Sequence, residues 1–292
     1  MTTAARLAPV LLAGGVAAIG GTFLARAGTG AAAEDGAFLV DPARIEIVER
    51  PAWLPPEWLD EIERTLGALG PFSIFDEAAP EILRAALAGL DWVEVVAEPR
   101  RDFPRAMRAV IRIRRPVAQI DPKGSGTFSA DGKGARPLLV DAEGRLLPPA
   151  SPGETISLDL PMLQAGTPPF APPPRVGEAW PDPRVVAGAA AAADAAALRA
   201  RTGIAVRAID VSNTGEFADP TGSEIVFVAE DGARILWGRS TARAVYGERD
   251  PEEKAASLAQ VLQTYPGLAG LEGVDLRFDE AVATLAGPVE SP

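Results

Sequence analysis

The chain has 292 residues, 28 Lys and Arg against 40 Asp and Glu, and neither histidine nor cysteine. Those two absences exclude Ser-His-Asp and Cys-His catalysis, His/Cys zinc sites, thiol redox chemistry and disulfides. A formal charge of −12 argues against a nucleic-acid binder, because phosphate affinity comes from neutralising Lys and Arg. A hydrophobic fraction of 47% is ample for packed cores, and the length suggests about two domains. The composition favours a binding or scaffold protein, with no cofactor, metal or small-molecule substrate expected.

Residues 7–25, between Arg6 and Arg26, carry no charge. At about 1.5 Å per residue, a helix of that length just spans a hydrocarbon core about 30 Å thick. The run predicts a single transmembrane anchor behind a cytoplasmic tail of residues 1–6. Pro9, Gly14, Gly15, Gly20 and Gly21 dilute it, and Ala25-Arg26-Ala27 leaves a cleaved signal peptide open. A buried soluble helix is disfavoured, since the run has no amphipathic stripe. In the first two readings the rest of the chain is exported, which makes it periplasmic in an inner-membrane protein. Residues 26–40 hold an Ala- and Gly-rich stretch that reads as a tether.

Residues 41–120 predict a small β-α-α-β-β module. Ile45-Glu46-Ile47-Val48-Glu49 alternates as a strand does, and Pro55-Pro56-Glu57 opens a helix whose inner face would hold Leu59, Ile62, Leu66 and Leu69. Pro80 opens a second helix with Ile82, Leu83, Ala86, Leu87 and Leu90 inward. A strand over 92–98 would bury Val93, Val95 and Ala97. The next, over 107–115, buries Ala109, Ile111 and Ile113 and turns Arg108, Arg112 and Arg114 outward, where Glu94 and Glu98 can pair with them. Residues 98–123 hold eight basic residues against three acidic ones. Two readings stand for that excess: contact with anionic lipid headgroups or an acidic partner near the membrane, or simply the solvent face of an ion-paired strand.

Residues 121–287 predict a mainly antiparallel β domain with flanking helices. Gly124-Ser125-Gly126 and Gly132-Lys133-Gly134 lack the strand-loop-helix context of a phosphate loop and read as an interdomain segment. Leu138-Leu139-Val140 and Leu146-Leu147 flank an Asp-Ala-Glu-Gly turn, a hairpin signal. Residues 148–184 carry 11 of the 28 prolines and read as an extended surface excursion. An alanine-rich helix over 185–201 ends at Gly203. Strands follow at 204–211, 224–229 and 233–237, and Asp250 with Glu253 makes a capping box for a helix that buries Ala255, Leu258, Val261 and Leu262. The strand 273–278 and a last strand from Ala281 to Leu285 precede a tail, 288–292.

Several of these pieces, in this order, resemble the bacterial divisome family FtsQ, called DivIB in Gram-positive bacteria. Asp91-Trp92-Val93, Phe103-Pro104 and Ile111-Arg112-Ile113-Arg114-Arg115-Pro116-Val117-Ala118 resemble the run of its POTRA domain, with Phe103 and Arg114 standing where tryptophan and glutamate are usual. Leu139-Val140-Asp141-Ala142-Glu143-Gly144, Leu160-Pro161-Met162-Leu163-Gln164-Ala165-Gly166, Ile235-Leu236-Trp237-Gly238, Glu253-Lys254 and Val274-Asp275-Leu276-Arg277-Phe278 resemble its β domain. The resemblance implies a membrane-anchored, non-catalytic division scaffold at the septum, with FtsB and FtsL as partners. It implies that Arg277 and Phe278 contact FtsB beside the last strand, and that Ala281, Val282, Ala283, Thr284 and Leu285 form the edge to which the partner adds a strand. From pattern alone, Val274, Leu276 and Phe278 are core positions and Arg277 a solvated charge. Two other function classes remain open at this stage, a carboxylate-dependent periplasmic hydrolase and a POTRA-bearing export factor.

Overall fold

In a computed structural model, residues 36–48, 51–121, 137–149, 159–215, 219–240 and 247–287 are described. The chain divides at Ile113/Arg114 into two units, and its class is α+β. The expected anchor, residues 7–25, the interdomain glycines and the tail 288–292 lie outside the described residues. Among the described residues no helix is long and apolar enough to cross a membrane.

The first unit has helices α1 (Pro56–Gly67) and α2 (Ala79–Ala88) and strands β1 (Leu39–Val40), β2 (Glu46–Val48), β3 (Phe72–Ser73), β4 (Val93–Val96), β5 (Arg100–Asp102) and β6 (Ala106–Ile113). Pro56 stands in the first turn of α1, where a missing N–H costs nothing. The buried stripe is Trp58, Ile62 and Leu66. Leu69, expected on that face, lies beyond the helix end and is 37% exposed. On α2, Leu83 and Leu87 are buried one turn apart while Ile82, expected inward, is 47% exposed. Trp92 packs on Trp58 at 4.9 Å between ring centroids and donates its Nε1–H to Glu61 at 2.8 Å.

β6 is central, with β2 parallel on one side and β4 and β5 antiparallel on the other. Its residues alternate strictly, Met107, Ala109, Ile111 and Ile113 inward and Arg108 and Arg112 outward. Val95, expected inward, is 43% exposed because the ladder slips between Val93 and Val95, so that Val95 stands opposite Arg112. Glu94 pairs with Arg112 at 2.9 Å as expected, but Arg108 pairs with Glu46 and Asp102, each at 3.0 Å, rather than with Glu98.

The second unit adds β7 (Ala118–Ile120), β8 (Leu138–Val140), β9 (Leu146–Leu147), β10 (Met162–Gln164), β11 (Val206–Asp210), β12 (Ile225–Ala229), β13 (Arg234–Gly238), β14 (Leu271–Asp275) and β15 (Val282–Leu285), with α3 (Pro183–Thr202) and α4 (Pro251–Thr264). The strands form one mixed sheet in the order β15-β14-β13-β12-β11-β10-β7-β8-β9. β7, which the sequence reading placed at the end of the first module, pairs here with β8 and β10, and Ala118 and Ile120 point into this core. Arg114 likewise turns to Asp141 and Glu143, at 3.1 and 3.2 Å.

The proline-rich stretch is not an excursion throughout. Its prolines flank Met162-Leu163-Gln164, which lies parallel to both β7 and β11, and Trp180 in the same stretch is 4% exposed. A parallel connection needs a crossover; α3 bridges β10 to β11 and α4 bridges β13 to β14. Asp182 caps α3, accepting from the Arg184 N–H at 3.0 Å, and Gly203 closes it at φ 77. Alanine keeps α3 slim, and a Cβ at Gly188 would come within 2.9 Å of Leu163. At α4, Asp250 accepts from the Glu252 N–H at 2.8 Å, and Lys254 is buried beside Ala255 and Leu258, while Val261 and Leu262 are half-buried.

Candidate partner-binding edge

β15 ends the sheet. It pairs antiparallel with β14 on one side, Ala283 opposite Val274 and Val282 opposite Asp275. Among the described residues no strand lies on its other side. All four of its residues are exposed, Val282 at 54% and Leu285 at 61%, and Ala281, at the turn, packs half-buried against the core.

Val274 and Leu276 are core residues, as the alternation predicts, but Phe278 is 56% exposed. The reason is local: β14 stops at Asp275, and the alternation that would carry Phe278 inward stops with it. Arg277 is held from three sides. It makes a forked pair with Asp275 (Nε to Oδ1 3.0 Å, Nη2 to Oδ2 2.7 Å), donates Nη1–H to the Thr221 carbonyl at 2.7 Å, and lies 5.4 Å from the Phe278 ring centre. The Asp275 hydrogen bonds push its pKa above the usual arginine range, against the opposing effect of burial. The turn behind is fastened by Arg249, which donates to the Leu276 and Phe278 carbonyls at 3.3 and 2.5 Å and to Ser257 at 3.0 Å.

Thr221 is itself placed by a braced loop. Asn213 exchanges two 2.8 Å bonds with the Asp219 backbone, and the Thr221 hydroxyl and N–H hold the Asp219 carboxyl below its usual range. A cleft of about 310 Å³ lined by Asp210, Ser212, Asn213, Asp219, Ser223 and Arg234 adjoins this loop. Among the described residues no group of three or more acidic side chains is placed to hold a metal ion.

Two strands inward from the edge, a polar cluster ties α3, α4 and β13 together. Lys254, 1% exposed, donates to the Trp237 carbonyl at 2.7 Å and to the Glu248 carboxylate, and its Nζ lies 5.0 Å from the Trp237 ring centre. Trp237 in turn donates its Nε1–H to Asp194 at 3.3 Å. Burial pushes the Asp194 carboxyl up to about 6, opposed by the Trp237 bond and the Lys254 charge.

The structure therefore brings together Arg277, Phe278, Val282, Ala283, Thr284 and Leu285, with Ala281 at the hinge. Asp275, Thr221 and Arg249, which position them, were not anticipated. Asp275-Leu-Arg277 repeats the spacing of Asp182-Pro-Arg184, where the fork is the same, so an i,i+2 acid–arginine pair at an element boundary was the available signal. No model of a known protein family matches the chain, and no curated protein does.

Proposed function

We propose that the protein is a non-catalytic, membrane-anchored scaffold of the bacterial division complex, exposed to the periplasm, which captures FtsB- and FtsL-type partners by strand addition along β15. The open β15 edge carries this reading: a four-residue antiparallel strand at the end of a nine-stranded sheet, exposed along its length and flanked by a fixed arginine and an exposed phenylalanine. An incoming strand gains main-chain hydrogen bonds there, and Arg277 and Phe278 supply selectivity. The order of motifs that resembles FtsQ, together with the two-helix, β2-β6-β4 arrangement of the first unit, supports a POTRA-like module ahead of a binding domain.

The test is affinity capture of the tagged full-length protein from its own cells, scored for small single-span coiled-coil membrane proteins. Val282→Asp is expected to reduce capture at least about tenfold, since a charge on an edge strand opposes pairing, while leaving the thermal unfolding midpoint in place. Undiminished capture would sink the edge reading.

A further inference from the structure

We infer that the β5–β6 hairpin of the first unit is a docking tip for an anionic lipid bilayer. The hairpin turns at Phe103-Pro104-Arg105, and residues 100–106 are all exposed, Phe103 at 59%. Arg100 stands directly opposite Arg108 across the ladder, where the nearby counter-charge is drawn to Arg108 and not to Arg100. The nearby acids are already committed: Asp102 and Glu46 both pair with Arg108. Among the described residues, Arg100 and Arg105 have no carboxylate partner, and Arg101 donates to the Asp76 carbonyl at 2.7 Å. On the other face, Arg101 also lines a hollow with Glu77, Glu81 and Glu98, so the outward charge rests on Arg100 and Arg105.

Bare arginines around a projecting aromatic ring suit an interface whose headgroups are anionic and whose acyl boundary accepts a ring. The position of the tip favours a bilayer over an acidic protein. Phe103 packs on Phe75 at 5.7 Å, and Phe75 on Phe38 at 5.3 Å. The hairpin therefore lies two ring contacts from the point where the chain arrives from residues 7–25. Ten residues separate Arg26 from Phe38's neighbour Ala37, a reach of at most about 35 Å. On a chain of charge −12, an anionic surface repels most of the molecule and admits it by this tip. This placement of the tip at the bilayer rests on the membrane anchor put forward under Proposed function.

The full chain has no cysteine, so Ala106→Cys carries a single environment-sensitive fluorophore at the exposed start of β6. The labelled protein is reconstituted into vesicles of phosphatidylcholine, or of phosphatidylcholine with roughly a third phosphatidylglycerol. In the anionic vesicles the label is expected to blue-shift and become about twofold less accessible to acrylamide, and to revert at about 1 M salt, where the Debye length is about 3 Å. Arg100→Glu with Arg105→Glu breaks no side-chain contact among the described residues and should lower the docked-to-free ratio at least about 25-fold, at about fivefold for each arginine charge removed. No shift, or an equal shift in both lipids, overturns the proposal. A shift with soluble polyglutamate and none with vesicles assigns the tip to an acidic protein and overturns it too. Retention in pure phosphatidylcholine vesicles after an alkaline wash reports the anchor separately. If that fails, the label in added anionic vesicles still decides the hairpin.

Discussion

The two ends of the nine-stranded sheet are treated in opposite ways. At the β9 end the outer ladder positions are taken by the chain itself: Leu146 donates to Glu178 at 3.0 Å and accepts from Gly177 at 2.7 Å, Trp180 donates to Gly144 at 2.9 Å, and Arg145 bridges to Ala179. Leu146 and Leu147 are buried as a result. At the β15 end nothing comparable covers the strand among the described residues, although it is twice as long. Open edges invite unwanted pairing, and proteins normally blunt them. Among the described residues one edge is closed by the chain's own backbone and the other is left open, and the proposed strand addition uses the open one.

The largest expected effect comes from undoing the closed end. Trp180 is buried and anchored by its own Nε1–H to the Ala171 carbonyl at 2.9 Å. Trp180→Ala is expected to cost about 3–5 kcal/mol of stability, read by denaturant unfolding. It should also expose β9 and produce concentration-dependent association by light scattering. If the variant loses stability yet stays monomeric, the covering of β9 is packing rather than protection, and the contrast between the two ends weakens.

Next is the open end. Neighbouring N–H groups on a strand point to opposite sides, so Val282→Pro and Ala283→Pro are expected to differ. One removes a donor of the β14–β15 ladder and lowers stability. The other removes an outward donor and costs about 1–3 kcal/mol of partner binding, a roughly five- to 150-fold loss of capture with the unfolding midpoint retained. Equal behaviour of the two prolines would mean that the outward groups do not bind the partner.

How much of this was legible in the sequence depended on whether the deciding contact was local. The β6 alternation, the Gly203 end of α3 and the turn before β15 are written in neighbouring residues, and they stand where the pattern put them, whereas α3 begins two residues earlier than expected, behind Asp182. β10 was hidden because three residues among prolines give no periodicity, and only its neighbours β7 and β11 make it a strand. The lid on β9 was invisible for the same reason. Val95 turned outward because a bulge resets the alternation, which no composition rule announces. The burial of Lys254, which entered only through the Glu253-Lys254 motif, was not legible, since its partners, Glu248 and the Trp237 carbonyl, come from elsewhere in the chain. Of the edge, the strand was readable; its flanking pair was not, since the alternation put Phe278 in the core and left Arg277 in solvent, and neither was the clamp of Asp275, Thr221 and Arg249.

The ends should also differ in their response to pH. The closed end is covered through backbone hydrogen bonds, whereas two strands in from the open end the cluster of Asp194, Trp237 and Lys254 carries a buried titratable carboxyl. Asp194 faces Lys254, with Asp250 adding like charge, and burial raises its folded pKa to about 6 from an ordinary 3.8. Well below pH 3.8 the carboxyl is protonated whether the chain is folded or not, and the favourable protonated burial is fully present. That contribution is lost as pH rises through about 6, where the folded carboxyl must ionise. Asp194→Asn is therefore expected to be more stable than the parent by about 1–2 kcal/mol at pH 7 and nearly level with it at about pH 3. Thermal unfolding at the two pH values checks this, and a gain that persists at the lower pH would assign it to packing instead.

The smallest effect tests how the open edge chooses its partner. Arg277→Lys keeps the charge but loses the fork on Asp275 and the Thr221 bond, because a lysine carries one point charge where the guanidinium is planar and rigid. If the edge needed only a positive charge nearby, capture would be unchanged. A fixed guanidinium lying along Phe278 instead presents a shaped surface, and its loss is expected to weaken capture by about 1 kcal/mol, roughly fivefold. Stability should change little, since the side chain at 277 is partly exposed and Asp275 still accepts from the backbone N–H of residue 277 at 3.0 Å. Asp275→Asn separates the two roles: it frees the arginine without removing it, so a matching loss of capture means that the position of Arg277, more than its charge, selects the strand that pairs with β15.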